Sequence, residues 1–505
     1  MNSNTISLRH VLPEACFFGC QDIAATSVSA DSRQIRPGDV FIAIRGSRVD
    51  GHDCIEAAVS GGAVAVVAEQ QSPGPGVPQC IVACSATAYA KICTALVPER
   101  TESLTFAGVT GTNGKTTTTW MLRSILTAAR RRTGLIGTIE NHDGYESSPA
   151  EMTTPPADVL ARQFSRMIQR QTSHCVMEVS SHALAQKRCA GVRFSVAAVT
   201  NVTQDHFDYH GSAENYCAAK AAISELLHPD APLVLNLNDA GCRAVRSRVA
   251  GMTPVITCGV ENAAAELRAH VLTKTHRSQR LRLHLAQGDA EVRLRLIGHH
   301  NVENALTAAC LAEQLGVRLK DIVCGLEAVH AVPGRLERID EGQPFQVLVD
   351  YAHTSDALAR AVETIRGFVP GRLICVFGAG GDRDRAKRPL MGQAAAKSDI
   401  CIVTSDNPRN EDPDRIIGDV VAGIPRQTVL CVEPDRTAAL RQAFVCAEPG
   451  DVVLIAGRGH EPCQQIRGQR MPFDDRQMAR QLLRELHADD CPPLRHPVFS
   501  ASWPA

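Results

Sequence analysis

Apolar and polar positions divide the chain into three stretches. In the first, about residues 1–100, short apolar runs at 39–44 (DVFIAI) and 63–68 (AVAVVA) read as strands. A Pro/Gly run at 72–78 (SPGPGVP) and a polar run at 98–103 (PERTES) close it. The second opens on a strand at 104–109. A glycine-rich turn follows, then a helical pattern through Met121, Leu122, Ile125 and Leu126. Buried-strand runs at 175–179, 196–200 and 233–236 alternate with helical segments. A helix at 301–315 precedes a boundary near 331–334. The third stretch repeats the alternation, with strands expected at 347–350, 373–378, 400–405, 429–432 and 452–456. Continuous apolar strands between helices predict mainly parallel sheets covered on both faces.

The expected fold is therefore α/β in three domains, 1–100, 101–332 and 333–505, the central one a P-loop-type sheet and the last Rossmann-like. Four strands of the last domain run into unusual loops: DYAHT, GAGGDRDR, SDNPRN and GRGHE. Ligands of open parallel sheets sit beyond the carboxyl ends of strands, so these four loops are expected to form one site. The pattern GAGGDR lacks the last glycine of a dinucleotide fingerprint, because Arg383 stands there.

Composition narrows the function classes. Hydrophobic residues make up 44% of the 505, charged residues 21%, and net charge is −1. That balance gives no extended surface for nucleic acid or an anionic membrane, so anionic ligands must be held by local groups. The 19 cysteines include no CxxC pair, and the spacings Cys16–Cys20 and Cys80–Cys84 fit no zinc or redox motif. Free thiols in a reducing compartment are expected. No signal pattern opens the chain and no apolar run reaches about 20 residues, so a cytoplasmic location is expected.

The strongest chemical signal is GVTGTNGKTTTT at 108–119. A strand, glycines, a lysine, hydroxyls and a helix start follow in the order a triphosphate needs. Gly111, Thr112, Asn113 and Gly114 would turn N–H groups toward phosphate oxygens. Lys115 would neutralise the β/γ oxygens, Thr116 would reach Mg2+, and Thr117 continues the loop. Val109 stands where the strict GxxxxGK[ST] pattern has its first glycine, so the motif is the narrower GxxGxxGKT. Glu178, at a strand end, is a metal-ligand candidate, with His206 or Asp205 of TNVTQDHFDYHG completing the shell. Asn301 and Asn304 in HHNVENA are candidates for a site role or for plain helix-start chemistry.

These segments, with MEVSSH, YCAAK, PGR, GGDRDRAKRPLMG, DNPR and the early DSR and FIAIRG, resemble the Mur ligase family in order over about residues 31–461. The resemblance implies an ATP-dependent ligase of cytoplasmic peptidoglycan precursor synthesis. ATP would phosphorylate the D-glutamate side-chain carboxylate of UDP-N-acetylmuramoyl-L-alanyl-D-glutamate. The amine of meso-diaminopimelate would then attack the acyl phosphate, releasing phosphate beside the ADP already formed. It implies catalytic roles for Lys115, Glu178, His206 and Lys220, the last as a CO2-derived carbamate (N6-carboxylysine). Thr116, Glu178, His206 and carbamylated Lys220 would hold Mg2+. Asn301, Asn304, Arg335 and Asp350 would join the ATP loop. The UDP-sugar peptide would be held by Ser32, Ser47, Arg48, Val49, Thr153, Thr154, Ser180, Gln186 and Arg188. The first domain would thus bind UDP-sugar, the second ATP and the third the amino acid.

Diaminopimelate differs from lysine by a distal carboxylate, which calls for an arginine fork. Arg409 of Asp406-Asn407-Pro408-Arg409 supplies it, with Arg383, Gly457 and Glu461 as further contacts implied by the resemblance. That loop argues against a lysine-adding relative, and DSR with FIAIRG argues against folylpolyglutamate synthetase. The intact lysines, Glu178 and His206 oppose a nucleotide switch or a dead sugar binder. A monomer with no nucleic-acid or membrane partner is expected. The proline-rich tail after about residue 487 is expected to be disordered, with no assigned role.

Overall fold

The computed structural model describes residues 5–46, 49–74, 76–98, 101–203 and 205–487. Ser47, Arg48 and the tail after 487 lie outside the described residues. The chain divides into two compact units. One comprises the residues through Ala269 with Leu283–Ala290 and Glu303–Leu326; the other comprises His270–Arg282, Glu291–Val302 and the chain from Glu327.

Besides the two-stranded pairing of Ile6–Ser7 with Ala24–Ala25, the first unit contains a five-stranded sheet and the strands of a larger one as far as Ala269. The smaller has five strands in the order Cys16–Phe18, Gln79–Ile81, Ala65–Ala68, Val40–Ile42, Val28–Ser29. All neighbours are parallel except the first pair. The larger sheet runs Ser147–Pro149, Glu140–His142, Thr133–Ile136, His174–Glu178, Thr105–Thr110, Val196–Val199, Leu233–Asn236, Val255–Val260, Leu267–Lys274. Its pairs from Thr133–Ile136 onward are parallel, and the two edge strands before it are antiparallel. Gln279–Leu285 and Gly288–Leu294 extend the order to eleven. The central strands are apolar because helices cover them. Phe106, Met177, Phe194, Ala197, Val199 and Leu235 share one buried cluster with Leu160, Phe164 and Met167 of helix Ala157–Gln169.

The expected strands at 104–109, 175–179, 196–200 and 233–236 appear within a residue or so. Those at 133–136 and 255–294 went unforeseen. The segment Gln279–Leu285 (QRLRLHL) alternates buried and exposed positions, a clear period-two signal. Thr133–Ile136 is only four residues long and is buried throughout, too short to show a period.

In the second unit the sheet order is Glu337–Ile339, Gln346–Asp350, Val452–Ala456, Leu373–Phe377, Ile400–Val403, Val429–Val432. Only the first pair is antiparallel. Successive strand residues feed opposite faces, which explains the unbroken apolar runs. Leu454 and Cys375 pack with Leu358, Val362 and Ile416 on one side. Val453, Ile455 and Val376 pack with Leu440, Phe444 and Leu483 on the other.

The described cysteines are free. Burial pushes the thiols of Cys80 and Cys189 up to about 12. A buried bidentate ion pair anchors the last helix of this unit. Arg436 donates from Nε and Nη2 to Asp475 at 2.7 and 2.8 Å. Asp475→Asn would leave the guanidinium buried without its counter-charge, and a destabilisation on the order of 3–5 kcal/mol is expected. A fall in the urea midpoint of the second unit's transition, followed by hydrogen exchange, checks it; an unchanged midpoint would show the pair to be dispensable.

Candidate active site

Strand Thr105–Thr110 delivers the phosphate loop and helix Lys115–Ala128 leaves it. The loop is clamped from neighbouring elements. Asn113 N donates to Asn201 Oδ1 at 2.8 Å, and Thr200 Oγ1 donates to the Asn113 carbonyl at 2.6 Å. Thr112 N donates to the Asn201 carbonyl at 2.9 Å, and Thr112 Oγ1 meets the Tyr216 hydroxyl at 3.1 Å. A side chain at Gly111 would collide with Thr200 Oγ1, and one at Gly114, where φ is +84°, with Asn304 Oδ1. Thr118 Oγ1 also donates to Asn304 Oδ1, at 3.3 Å. Lys115 folds over the loop, its Nζ donating to the carbonyls of Gly111 and Thr112 at 2.8 and 3.0 Å. Thr117 is buried at the helix start. Strand, loop and helix follow in the expected order, but the N–H groups of Thr112 and Asn113, expected to face phosphate, are held by Asn201; the support from Thr200, Asn201 and Tyr216 is revealed by no spacing in the motif.

Thr116 Oγ1 donates to Glu178 Oε2 at 2.9 Å. Glu178 is wholly buried, and Thr138 grips both its oxygens, from N to Oε1 at 2.9 Å and from Oγ1 to Oε2 at 2.8 Å. Thr138 Oγ1 lies 3.1 Å from Thr153 Oγ1. Thr138 was not among the expected site residues; its short segment LIGTIE carries no distinctive pattern.

Thr154 Oγ1 donates to the Glu178 carbonyl at 2.8 Å and accepts from Ser180 N at 3.0 Å. Arg188 Nη1 donates to the Thr154 carbonyl at 2.7 Å, and its Nη2 to Gln186 Oε1 at 2.6 Å. Thr153, Thr154, Ser180, Gln186 and Arg188 thus form one connected group. Tyr209 joins it through its hydroxyl, 3.1 Å from Gln186 Nε2.

His206 has a left-handed backbone (φ +52°), and its Nε2 lies 3.3 Å from Asp205 Oδ2. The ring of His182 lies 4.8 Å from that of His206 and 4.2 Å from that of Tyr209. Lys220 is buried on helix Ala213–Ala221, its Nζ 4.6 Å from the centre of the Tyr216 ring. Burial, and next the charge of Lys115, hold its pKa well below that of an ordinary lysine. Among the described residues no three histidine, cysteine, aspartate or glutamate side chains could hold a metal ion by themselves. The buried Thr116–Glu178 oxygen pair nonetheless suits a hard cation completed by phosphate and water.

Ser32 follows strand Val28–Ser29 in a 3-10 turn capped by Asp31, and Val49 follows the adjacent strand Val40–Ile42 and is exposed. Both lie beyond the carboxyl ends of neighbouring parallel strands. Asn304 belongs to the phosphate-loop clamp. Asn301, one turn earlier on helix His299–Gln314, is buried and donates to the Ile297 carbonyl at 2.7 Å.

In the second unit the four loops meet. Asn407 is the hub: its Nδ2 donates to Glu461 Oε2 at 2.7 Å, and its Oδ1 accepts from Arg458 Nη1 at 2.8 Å and Gln465 N at 2.9 Å. Tyr351 of DYAHT donates to Glu461 Oε1 at 3.3 Å. Gly381 N donates to the Asn407 carbonyl at 2.9 Å, and a side chain on Gly381 would collide with the Pro408 carbonyl. A side chain on Gly457 would collide with Asp406 Oδ2. That oxygen is buried and, among the described residues, has no hydrogen-bond partner. An unpaired buried carboxylate oxygen is a ready seat for an ammonium.

Arg409 is left-handed (φ +52°) and donates from Nη1 to the Gly381 carbonyl at 2.6 Å. Burial, then the charge of Arg383, lower its pKa, so two guanidiniums share one neighbourhood, as a bound carboxylate would favour. Asp350 accepts from Leu336 N at 2.7 Å, and burial raises its pKa against the opposing charge of Arg335. Arg335 lies over the Tyr351 ring at 4.9 Å. Gln464 and Gln465 stand outside any motif read from the sequence, and Arg458, though it lies in GRGHE, was given no role there.

Gly114→Ala is expected to weaken ADP binding by at least about tenfold, because a left-handed alanine costs about 1–2 kcal/mol and must also displace Asn304. Calorimetric titration with ADP, beside a circular dichroism melt, checks it; parent-like affinity would mean that the clamp is loose.

Comparison with known proteins gives a consistent result. Family models described as "Mur ligase middle domain", "Mur ligase, glutamate ligase domain" and "Mur ligase family, catalytic domain" match residues 109–312, 334–459 and 25–102. A UDP-N-acetylmuramoyl-L-alanyl-D-glutamate--2,6-diaminopimelate ligase from Solibacter usitatus (strain Ellin6076) is 42% identical over 470 residues, covering 91% of this chain and 93% of that protein. A solved structure of a ligase so described is 31% identical with a TM-score of 0.69, covering 96% of this chain and 100% of that one. MurF ligase from Thermotoga maritima, solved in complex with ADP, shares the fold at 20% identity and a TM-score of 0.61, covering 91% of this chain and 98% of that one.

Proposed function

The chain belongs to the Mur ligase family, and from that premise we propose a residue-level account of how it joins 2,6-diaminopimelate to UDP-N-acetylmuramoyl-L-alanyl-D-glutamate at the expense of ATP. It is an ATP-dependent ligase of peptidoglycan precursor synthesis. One observation carries the account: side-chain oxygens of Thr116, Glu178, Thr138 and Thr153 follow one another at 2.9, 2.8 and 3.1 Å. That chain joins the phosphate loop to the group Thr153, Thr154, Ser180, Gln186 and Arg188, which we assign to the acceptor peptide.

In this reading the loop Gly111–Thr117, with Lys115 as its cation, holds the triphosphate; Asn301 and Asn304 are assigned to the adenine, and Arg335 and Asp350 to the nucleotide. Ser32, Ser47, Arg48 and Val49 hold the UDP-sugar. The γ-phosphoryl group passes to the D-glutamate side-chain carboxylate, making an acyl phosphate and leaving ADP. A neutral amine of meso-diaminopimelate attacks the carbonyl carbon, the C–O bond to phosphate breaks, and the amine proton is lost to solvent or phosphate. Because a carboxylate lacks a good leaving group, activation must come first; the protein's share is positioning and charge neutralisation. Thr116, Glu178, His206 and Lys220 are the proposed Mg2+ ligands, and the cation would neutralise phosphate charge when bound. The buried amine of Lys220 suits carbamylation, since an uncharged amine adds CO2 and releases a proton.

Arg409 with Arg383 is assigned to the distal carboxylate of diaminopimelate, and Asp406, Asn407 and Glu461 to its ammonium. Pro408 and Gly457 shape that seat. The three sections 1–100, 101–332 and 333–505 are proposed to serve UDP-sugar, ATP and amino acid respectively. Among the described residues no helix is long and apolar enough to cross a membrane. We propose a cytoplasmic monomer that needs no nucleic-acid or membrane partner.

Phosphate release is expected only with UDP-N-acetylmuramoyl-L-alanyl-D-glutamate, ATP, Mg2+ and diaminopimelate all present, and to fall at least about a hundredfold in Lys115→Ala. Product appearing without ADP would refute the activation step. Arg409→Ala is expected to raise the diaminopimelate KM between about tenfold and a hundredfold, the loss of a charged contact worth about 1.5–3 kcal/mol, with the ATP KM unchanged. Steady-state kinetics with each substrate varied in turn decides it.

A further inference from the structure

We propose that the hairpin of strands Cys463–Ile466 and Gln469–Pro472 is the strap that sets amino-acid specificity, by holding Arg409 where a distal carboxylate can reach it. The inference rests on the assignment of Arg409 to that carboxylate, and it names the structure that makes the assignment possible.

Arg409 sits in a left-handed conformation that non-glycine residues adopt only when their surroundings impose it. The imposing groups belong to the hairpin. Arg409 N donates to the Gln465 carbonyl at 2.9 Å, and Arg467 N donates to the Arg409 carbonyl at 2.6 Å. Together they make an isolated parallel bridge between Arg409 and Ile466. The hairpin's inner strand grips the rest of the loop as well: Gln465 N donates to Asn407 Oδ1, and Gln464 Nε2 donates to the Asp406 carbonyl. Gln464 is buried, whereas the outer strand Gln469–Pro472 is exposed throughout. The hairpin therefore has one packed side, and that side is the DNPR loop.

The geometry of the tip is preset. Only Arg467 and Gly468 separate Ile466 from Gln469, which are paired, and both have positive φ, +48° and +76°. A two-residue loop of this kind matches strand twist and fixes register without help from outside. A rigid turn thus presents the Arg467 N–H to Arg409. Gln464, Gln465 and Gly468 are positioning residues: in this account none touches substrate, and each acts through the backbone of residues 406–409.

The test uses two variants of the full chain, with Arg409→Ala as reference. Gln464→Met keeps length and burial but removes the bond to Asp406. Gly468→Val strains the turn at a position whose added Cβ would meet nothing, so either variant can answer if the other misfolds. A circular dichroism melt confirms folding. Expected in each is a rise of about tenfold or more in the diaminopimelate KM, the size of one lost hydrogen bond or more, with kcat within about threefold. The KM values for ATP and the UDP-sugar peptide stay within about twofold, as does that for L-lysine, which has no distal carboxylate to lose. Unchanged diaminopimelate KM in both variants, while Arg409→Ala raises it, overturns the strap and leaves the Arg409 assignment standing. An unchanged KM in Arg409→Ala as well removes both. A parallel rise for every substrate shows general loosening, and also overturns the strap.

Discussion

Much of this molecule depends on how closely other backbone and side-chain atoms approach the phosphate loop. Thr200 and Asn201, at the end of one parallel strand, and Asn304, on a helix, press against Gly111 and Gly114 at distances that leave no room for a Cβ. A short glycine-rich loop cannot pair all its backbone groups within itself, and Asn201 takes the N–H groups of Thr112 and Asn113, so the surroundings fix its shape. The parallel sheet supplies those surroundings. Strand Val196–Val199 neighbours Thr105–Thr110 in register, so their two terminal loops emerge side by side. The same logic seats Glu178 at the end of the strand on the other flank.

Left-handed backbones occur at several places in the chain, some of them among the residues assigned to the chemistry. His206, Leu336, Asp382 and Arg409 all have left-handed backbones without being glycine; His206, Asp382 and Arg409 lie in loops that follow a sheet strand, and Leu336 stands just before one. Such conformations persist only where neighbouring structure over-determines them. Here the supports are specific: Asp205 at the His206 amide, Asp350 at the Leu336 amide, Glu411 at the Asp382 amide, and Gln465 at the Arg409 amide. The second sheet, beside which the last three of these lie, carries an apolar layer on each face.

The parts legible in the sequence are those whose physics is local. A phosphate loop needs glycines and a lysine at fixed spacing, and buried parallel strands need unbroken apolar runs; both can be read from neighbours in the chain. Asp406 to Arg409 announce themselves by charge after a strand. What was not legible is support that comes from far along the chain. Thr138 grips Glu178 across 40 residues, Arg458 reaches Asn407 across 51, and Gln464 reaches Asp406 across 58. Nothing about a lone threonine or glutamine marks it as a partner until the fold brings the two together. The edge strands near 279–294 are a different case, since their alternation was present and simply outweighed by the stronger parallel pattern.

The described phosphate-loop residues all belong to the first compact unit, and the loops assigned to the incoming amino acid all belong to the second. On the proposed assignments, activation and choice of nucleophile are encoded in separately packed cores. Drift in the loops around residue 406 can alter which amine is accepted without disturbing how the carboxylate is energised. On those assignments a few turns decide the identity of the added residue, while the part that consumes ATP is left as it is.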